Sequence, residues 1–269
     1  MDKQRIAECF ARARQTYDRE AHVQHQVAER MLTYLLEACP DRTVFTHIAE
    51  VGCGTGLYSH LLQQTFRPEM LWLNDLCPEM KESLTDLLDL PTVSFTPGDA
   101  EEVVLPRQAR TITSCSTFQW FTDLPAFFHR CYQVLPPRGI LAFTTFGGEN
   151  LREIRTLTGH GLHYPTLPEL CEMLSSNYRV LYASEEVATL AFPTPTEVLR
   201  HLKQTGVTGT EKRIWTRTRL QHFTEEYSRL FPTEDGQVTL TYHPVYVIAE
   251  RRGNIYALDD SMLLQQVAL

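Results

Sequence analysis

Long apolar runs are missing from this sequence of 269 residues. No uninterrupted apolar stretch approaches the roughly 18 residues that a membrane-spanning helix requires. The opening segment, MDKQRIAECFARARQTYDRE, is charged where a secretory signal needs an apolar core. We therefore expect a cytoplasmic protein that does not enter a membrane.

Patterned cysteines and excess positive charge are missing too. The seven cysteines are scattered, with no CxxC pair and no Cys/His cluster, so we expect reduced thiols and no metal. The net charge of −8 argues against general nucleic-acid binding, which needs a basic surface. With 43% hydrophobic residues, the chain has enough apolar material for one large domain, or for one domain and a cap.

What is present is an alternation of helical and strand patterns. Apolar residues at three- and four-residue steps predict helices over 3–38, with a break near 18–21. Strand candidates at 44–51, 71–75, 93–96, 111–117 and 140–146 then alternate with helical stretches, among them 79–88 and 123–135. Alternation of this kind predicts parallel strands joined by crossover helices, which is a doubly wound α/β fold.

After residue 147 the pattern changes. A helical stretch at 149–158 is followed by another that starts at Thr166, where Thr166 and Glu169 form a capping-box pattern. A long β-rich segment follows at 178–192, and two further helices precede a final strand at 240–251. We predict an N-terminal helical segment at 1–40 and a core formed by 41–193 with 236–252. The remaining parts are a helical lid at 194–235, inserted before the last strand, and a tail at 253–269.

The segment EVGCGTGLYS, residues 50–59, is a glycine-rich turn between a strand and a helix. Leu57 stands where the dinucleotide pattern G-x-G-x-x-G needs its third glycine, and no Gly-Lys-Ser/Thr follows as in a Walker loop. The turn therefore favours a ligand carboxylate at the helix N-terminus over phosphates. An acid at Glu50 suits a ligand that also carries an ammonium group, and S-adenosylmethionine carries both groups.

Two acids follow at the ends of the next strands. Asp75 lies about 20 residues after Gly54, where it is placed to accept hydrogen bonds from both ribose hydroxyls. Asp99 and Ala100 follow the third strand, where a carboxylate and a backbone amide suit an adenine ring. For Asp99 alone, a turn-forming Gly-Asp pair is the structural alternative.

Over residues 44–147 this arrangement resembles the class I S-adenosylmethionine-dependent methyltransferases, which have a Rossmann-like sheet. The resemblance implies that Glu50, Gly52, Gly54 and Gly56 contact the methionine end of the cofactor and that Asp75 holds the ribose. It implies that Asp99 and Ala100 hold adenine, with Leu76 beside the ribose acid and Ser116 near the sulfonium. The cofactor would be S-adenosylmethionine, the product S-adenosylhomocysteine, and no metal would be needed.

Four further segments resemble the malonyl-acyl-carrier-protein O-methyltransferases of biotin synthesis: 10–32, 116–147, 199–210 and 240–251. This resemblance implies methyl transfer to the free carboxylate of a malonyl thioester on acyl-carrier protein. A carboxylate with a pKa of about 4 is already ionised at neutral pH, so no general base is required.

For the acceptor carboxylate, Arg200 in the matching lid segment is the first candidate and Tyr17 is the second. Lys203, Gln119 and Trp120 are predicted to contact the substrate. The structural alternatives stay open: Arg200 as a solvated surface charge, and Tyr17 and Trp120 as core aromatics.

Residues 200–219 carry six cations opposed only by Glu211, a local charge of +5. This is the expected contact for an acidic carrier protein, formed by Arg200, Lys203, Lys212, Arg213, Arg217 and Arg219. We expect a monomer with no nucleic-acid or membrane partner. Two other functions stay open: methylation of a small free acid such as trans-aconitate, and a catalytically silent S-adenosylmethionine-binding module that regulates a partner.

Overall fold

A computed structural model of the chain describes residues 2–207 and 216–253. Its helices are α1 Lys3–Glu20, α2 His22–Ala38, α3 Leu57–Phe66, α4 Thr85–Leu88, α5 Leu124–Val134, α6 Arg152–Thr158, α7 Leu167–Leu174, α8 Pro195–Gln204 and α9 Arg217–Leu230. Its strands are β1 His47–Val51, β2 Met70–Asp75, β3 Val93–Pro97, β4 Thr111–Ser114, β5 Ile140–Phe146, β6 Tyr178–Glu185, β7 Ala188–Phe192, β8 Val238–Tyr242 and β9 Pro244–Arg251.

Side chains at the helix ends explain where several helices begin. The Asp2 carboxylate accepts a hydrogen bond from the Arg5 amide and starts α1, and the chain breaks at Ala21 before α2, as the sequence predicts. The capping box predicted at Thr166 and Glu169 is present at the start of α7.

The central sheet has seven strands in the order β3-β2-β1-β4-β5-β9-β6. Strands β1 to β5 pair in parallel, and β9 runs antiparallel to both β5 and β6. The chain reverses direction across the sheet between β1 and β4. Ligands of open α/β sheets bind at such a switch point, outside the carboxyl ends of the strands. The predicted doubly wound fold is confirmed.

The core lies on both faces of this sheet because neighbouring residues of a strand point to opposite sides. Ile48 of β1 belongs to the hydrophobic cluster that includes α2 and α3, whereas the adjacent Ala49 belongs to the cluster on the other face, which includes α5 and α7. The strands of the sheet centre are buried along their length, as expected for a sheet covered by helices on both faces.

The C-terminal strands differ from the prediction. The β-rich segment 178–192 and the final strand are each divided in two, and β7 pairs with β8 in a separate two-stranded sheet. One break falls at His243, before Pro244, which has no N–H to donate to a ladder. The other falls at Glu186, whose amide donates to the Pro244 carbonyl. The predicted strand over 111–117 likewise ends early, at Ser114.

The helical insertion lies between β7 and β8 and begins with α8. The predicted helix over 79–88, by contrast, is a 3-10 turn followed by the single turn α4. The C-terminal end of α8 meets α1: the Thr16 hydroxyl donates to the Gln204 carbonyl at 3.0 Å. Gly206 follows with a φ of 74°, and a Cβ there would stand 2.6 Å from the Phe10 ring. Glycine at 206 thus allows α8 to close against α1.

Candidate active site

The glycine turn lies between β1 and α3 and is shaped by positions where a side chain has no room. Gly52 has a φ of 70°, and a Cβ there would stand 2.2 Å from the Thr117 Oγ1. Gly56 has a φ of 92°, and its Cβ would meet the Leu84 side chain at 2.6 Å. Glycine satisfies both constraints, because it adopts positive φ without strain and adds no atoms. Gly54, with a φ of 53°, differs from both, because nothing lies within 4 Å of a Cβ built there, and at this position the turn is open to a ligand.

Asp75, at the end of β2, is tied to this turn. Its carboxylate accepts hydrogen bonds from the amides of Gly54 and Cys77, each at 2.8 Å. Burial raises the pKa of Asp75, and the two amide hydrogens act against that rise. Each oxygen keeps a lone pair beyond its amide partner, so both remain able to accept from a ligand hydroxyl.

Asp99 follows β3 and is held from two sides. Its carboxylate accepts from the Glu101 amide at 3.0 Å and from the Lys3 ammonium at 2.5 Å. Lys3 also pairs with the Glu101 side chain. These contacts of Lys3 hold the first turn of α1 beside the end of β3.

These groups surround a cavity, which we call the outer cavity, of about 810 Å³ counted with its opening to solvent. From the predicted cofactor set it is lined by Gly52, Gly54, Asp75, Leu76, Asp99, Ala100 and Ser116. Helix α1 closes one side with Lys3, Ile6, Phe10, Arg14 and Tyr17.

Two predicted cofactor residues do not line the outer cavity. Glu50 is buried behind the turn, where the Ser59 hydroxyl donates to its Oε2 at 2.6 Å. Burial raises the pKa of Glu50 to about 8. Gly56 stands at the start of α3, outside the lining. Both residues support the shape of the turn and do not face the outer cavity.

A second space, the inner chamber, adjoins the first. It has a volume of about 430 Å³ counted with its opening to solvent and is lined by Phe10, Tyr17, Gln24, Ser116, Gln119, Trp120, Phe146, Asn150, Leu151, Leu162, Tyr164, Thr205, Val207 and Tyr242. Four of these, Phe10, Tyr17, Ser116 and Trp120, also line the outer cavity and form the junction between the two. Ser116 has a φ of 58°, a left-handed conformation rare for a residue with a side chain.

The inner chamber is uncharged at neutral pH. Among the described residues, none that lines it is an Asp, Glu, Lys, Arg or His. Burial raises the pKa of the hydroxyls of Tyr17, Tyr164 and Tyr242. Behind the wall, the Nε2 of His201 lies 2.7 Å from the Tyr242 hydroxyl, and burial lowers the pKa of this histidine.

Arg200 and Lys203 are not brought to either space. Arg200 lies on the exposed face of α8 with its guanidinium 2.7 Å from both carboxylate oxygens of Glu197, and Lys203 is also exposed. The reason is the helical register: α8 turns the buried His201, Leu202 and Thr205 inward, which places 200 and 203 outward. The structure does not place Arg200 at an acceptor carboxylate.

The other predicted carrier contacts divide between described and undescribed parts of the chain. Arg217 and Arg219 are exposed in the first turn of α9. Lys212 and Arg213 lie outside the described residues.

Several lining residues were not identified from the sequence. Phe10 was assigned only to the helical pattern of α1, yet its ring contacts Trp120 at 5.8 Å between centroids. Gln24 carries a signal that could have identified it, because it interrupts an apolar stripe that continues with Val27, Ala28 and Met31. A buried polar residue in such a stripe needs a partner, in the protein or in a ligand.

Within 2–207 and 216–253, no group of three or more His, Cys, Asp or Glu is placed to hold a metal ion. None of the helices described has both the length and the apolarity needed to cross a bilayer.

Comparison with known proteins identifies the family. Residues 49–143 match the family model described as a methyltransferase domain. A malonyl-[acyl-carrier protein] O-methyltransferase of Bacteroides helcogenes is 52% identical, covering 94% of this chain and 100% of its own. The chain belongs to this O-methyltransferase family. Its relative in Bacteroides thetaiotaomicron is 47% identical, over 94% of this chain and 99% of that protein.

Solved structures of lower identity share the fold. The YcgJ protein of Bacillus subtilis has a TM-score of 0.58 at 15% identity, covering 84% of this chain and 100% of that one. A Bacillus halodurans protein has a TM-score of 0.56 at 15% identity, over 77% and 93% of the two chains. At these identities the likeness establishes the fold of this O-methyltransferase family member and nothing further.

Proposed function

We propose that this protein transfers a methyl group from S-adenosylmethionine to the free carboxylate of a malonyl thioester carried by acyl-carrier protein, an early step of biotin synthesis. The observation that carries the proposal is the pair of spaces that meet at Phe10, Tyr17, Ser116 and Trp120. The outer cavity suits the methyl donor and the inner chamber suits a small acyl group. The names of the relatives supply the same reaction.

The outer cavity fits S-adenosylmethionine. The open space at Gly54 and the backbone of Gly52, which also lines the cavity, would receive the methionine end, and the two oxygens of Asp75 would take the ribose hydroxyls. Asp99 and the Ala100 amide would hold adenine, with Leu76 against the ring. Glu50 would support the turn through Ser59, and Gly56 would start the helix behind it.

When bound, the cofactor supplies an electrophilic methyl group on a sulfonium, and its product is the neutral thioether S-adenosylhomocysteine. The protein's task is then to place one carboxylate oxygen about 3 Å from the methyl carbon and to exclude water. Since the carboxylate is already ionised, no residue has to remove a proton. An uncharged chamber suits this chemistry because no cation masks the attacking oxygen.

Tyr17 and Trp120 are the groups we assign to the acceptor carboxylate. Both line the junction, and each carries a neutral donor. The Trp120 indole N–H is buried and has no hydrogen-bond partner within the described residues. Burial raises the pKa of Tyr17, so its hydroxyl keeps its proton to donate. Neutral donors orient the carboxylate and leave it more nucleophilic than a guanidinium would.

The carrier docking surface that we propose consists of Arg200, Lys203, Lys212, Arg213, Arg217 and Arg219. Arg217 and Arg219 support it: they occupy the first turn of α9, where a helix dipole disfavours cations by about 0.3–1 kcal/mol each. Arginines at such a position suggest a role other than helix stability, and an acidic partner supplies one. Lys203 and Arg200 lie on the exposed side of α8, which packs against α9.

We propose that the working unit is a monomer in the cytoplasm. The function is tested by incubating the protein with labelled S-adenosylmethionine and, separately, with malonyl-carrier protein, malonyl-CoA and trans-aconitate. We expect a methyl ester on the carrier-bound malonyl group, at the highest kcat/KM of the three.

The other outcomes have separate meanings. Equal rates with trans-aconitate would indicate a methyltransferase for small free acids. Cofactor binding without turnover of any carboxylate would indicate a silent binding module. Either outcome would refute the proposed function.

A further inference from the structure

Two buried amide oxygens in the inner chamber lack partners. The Oε1 atoms of Gln24 and Gln119 have no hydrogen-bond partner within 2–207 and 216–253, and both atoms are shielded from solvent. The Gln24 residue as a whole is only 6% exposed. A buried acceptor left without a donor is costly, so such atoms point to a group that the chamber is built to receive.

The orientation of the Gln119 amide follows from its other end. The Gln119 Nε2 donates to the Ser116 carbonyl oxygen at 2.6 Å, which requires the nitrogen on that side and leaves Oε1 free. The Gln119 oxygen is thus held as an acceptor. Gln24 lines the same chamber together with Tyr242, whose hydroxyl contacts His201.

A carboxylate or a thioester carbonyl cannot satisfy these two oxygens. Both groups are acceptors only, whereas Gln24 and Gln119 offer acceptors and need a donor. Gln24 and Gln119 line the inner chamber but not the outer cavity, which places them beyond the junction where methyl transfer would occur. A substrate that puts its carboxylate at the junction would reach them with the part of the molecule beyond the thioester.

We infer that the inner chamber recognises the amide N–H of the thiol arm that carries the acyl group, and that Gln24 and Gln119 accept this hydrogen bond through their Oε1 atoms. The inference rests on the proposed function and adds which part of the substrate the protein recognises. An arm of the cysteamine-amide type has an N–H several bonds beyond the sulfur. Recognition of this N–H would also distinguish a carrier-bound acid from a free small acid, which has no such group.

The test compares two small thioesters that differ in the amide. One probe is malonyl-N-acetylcysteamine, and the other is a malonyl alkyl thioester of equal chain length without nitrogen. We expect the wild-type protein to prefer the amide probe by about 10-fold in kcat/KM, the usual consequence of leaving a buried polar group unpaired. Equal kcat/KM for the two probes would overturn the inference.

Variants assign the preference to residues. Gln24→Met and Gln119→Met keep side-chain length and remove the acceptor, and the preference should fall toward one in the variant whose oxygen is used. Gln63→Met is the matched control, because the Gln63 Oε1 is the other buried amide oxygen without a partner and lies outside both spaces. A packing defect lowers turnover of both probes equally and leaves their ratio unchanged.

The outcomes separate this inference from the proposed function. An unchanged ratio in both glutamine variants would refute the inference, even while carrier-bound malonate is methylated. Absence of a methyl ester on the carrier would refute the function itself. A preference lost in Gln24→Met or Gln119→Met, and kept in Gln63→Met, supports the inference.

Discussion

Glu50 is the residue whose charge state most directly links the site to stability. Its pKa rises from an ordinary 4.5 to about 8, chiefly through burial, with the Ser59 hydrogen bond acting against the rise and the nearby Asp75 charge adding to it. Between those two pH values the native protein holds a proton that the unfolded chain has lost. The contribution of Glu50 to stability is therefore lost as pH rises through this window.

Replacing Glu50 with Gln should remove this pH-dependent loss of folding stability, because an amide does not ionise. We expect Glu50→Gln to raise the free energy of unfolding by about 3 kcal/mol at pH 7 and by less than about 1 kcal/mol at pH 5. Urea unfolding of the cofactor-free protein at both pH values measures it, with the exposed Glu8→Gln as control. A gain of the same size at both pH values would show that Glu50 is ionised in the native state.

Substitutions at Gly52 and Gly54 distinguish two constraints on the turn, a positive φ and the lack of room for a side chain. Both have positive φ, but a Cβ at 52 would overlap Thr117, whereas nothing lies within 4 Å of a Cβ at 54. Gly54→Ala should cost about 1–2 kcal/mol of backbone strain, and Gly52→Ala should cost about 1–3 kcal/mol more through overlap. Chemical denaturation of both variants checks the order, and equal losses would contradict it.

At the scale of elements, α8 has two faces with different tasks. His201 and Thr205 face inward near the chamber, whereas Arg200 and Lys203 face solvent. Arg200→Ala should lower kcat/KM by about 3- to 10-fold with malonyl-carrier protein and leave that of malonyl-N-acetylcysteamine unchanged, because it loses a docking contact only. Steady-state kinetics with both substrates measures it, with the exposed Arg107→Ala as control.

An equal loss of kcat/KM with both substrates in Arg200→Ala would contradict a role in docking alone. It would place Arg200 at the acceptor carboxylate, as the sequence predicts, and would require α8 to turn when substrate binds.

Much of the fold was predictable because it rests on local chemistry. The glycine turn, the capping box at Thr166 and the strand alternation are each visible in a few neighbouring residues. The split at His243 and the inward face of α8 depend on which surfaces meet in three dimensions. That is why Arg200 could be assigned to a matching segment but not to its side of the helix.

At the scale of the whole molecule, net charge and local charge oppose each other. The chain carries −8, yet residues 200–219 carry a local +5. An acidic carrier would be repelled by the molecule at long range and attracted by the docking surface at short range, and salt screens both effects. The sign of the salt dependence therefore shows which charge governs association.

We expect the positive charge of the docking surface to determine the salt dependence of association with the carrier. Raising salt from about 50 to about 300 mM should lower kcat/KM with malonyl-carrier protein several-fold and leave that with malonyl-N-acetylcysteamine nearly unchanged. Initial rates across the salt series measure it. A rate with the carrier that rises with salt would show that the overall negative charge prevails and that the docking surface lies elsewhere.

The fastening of Lys3 to Asp99 has a practical consequence for anyone preparing this protein. Because the first turn of α1 lies beside Asp99, which we propose to hold adenine, a purification tag joined before residue 2 would emerge beside the outer cavity. Such a tag should weaken cofactor binding while leaving the melting temperature unchanged. Cleaving it, or moving it behind residue 269, should restore the affinity, which isothermal titration of both preparations would show.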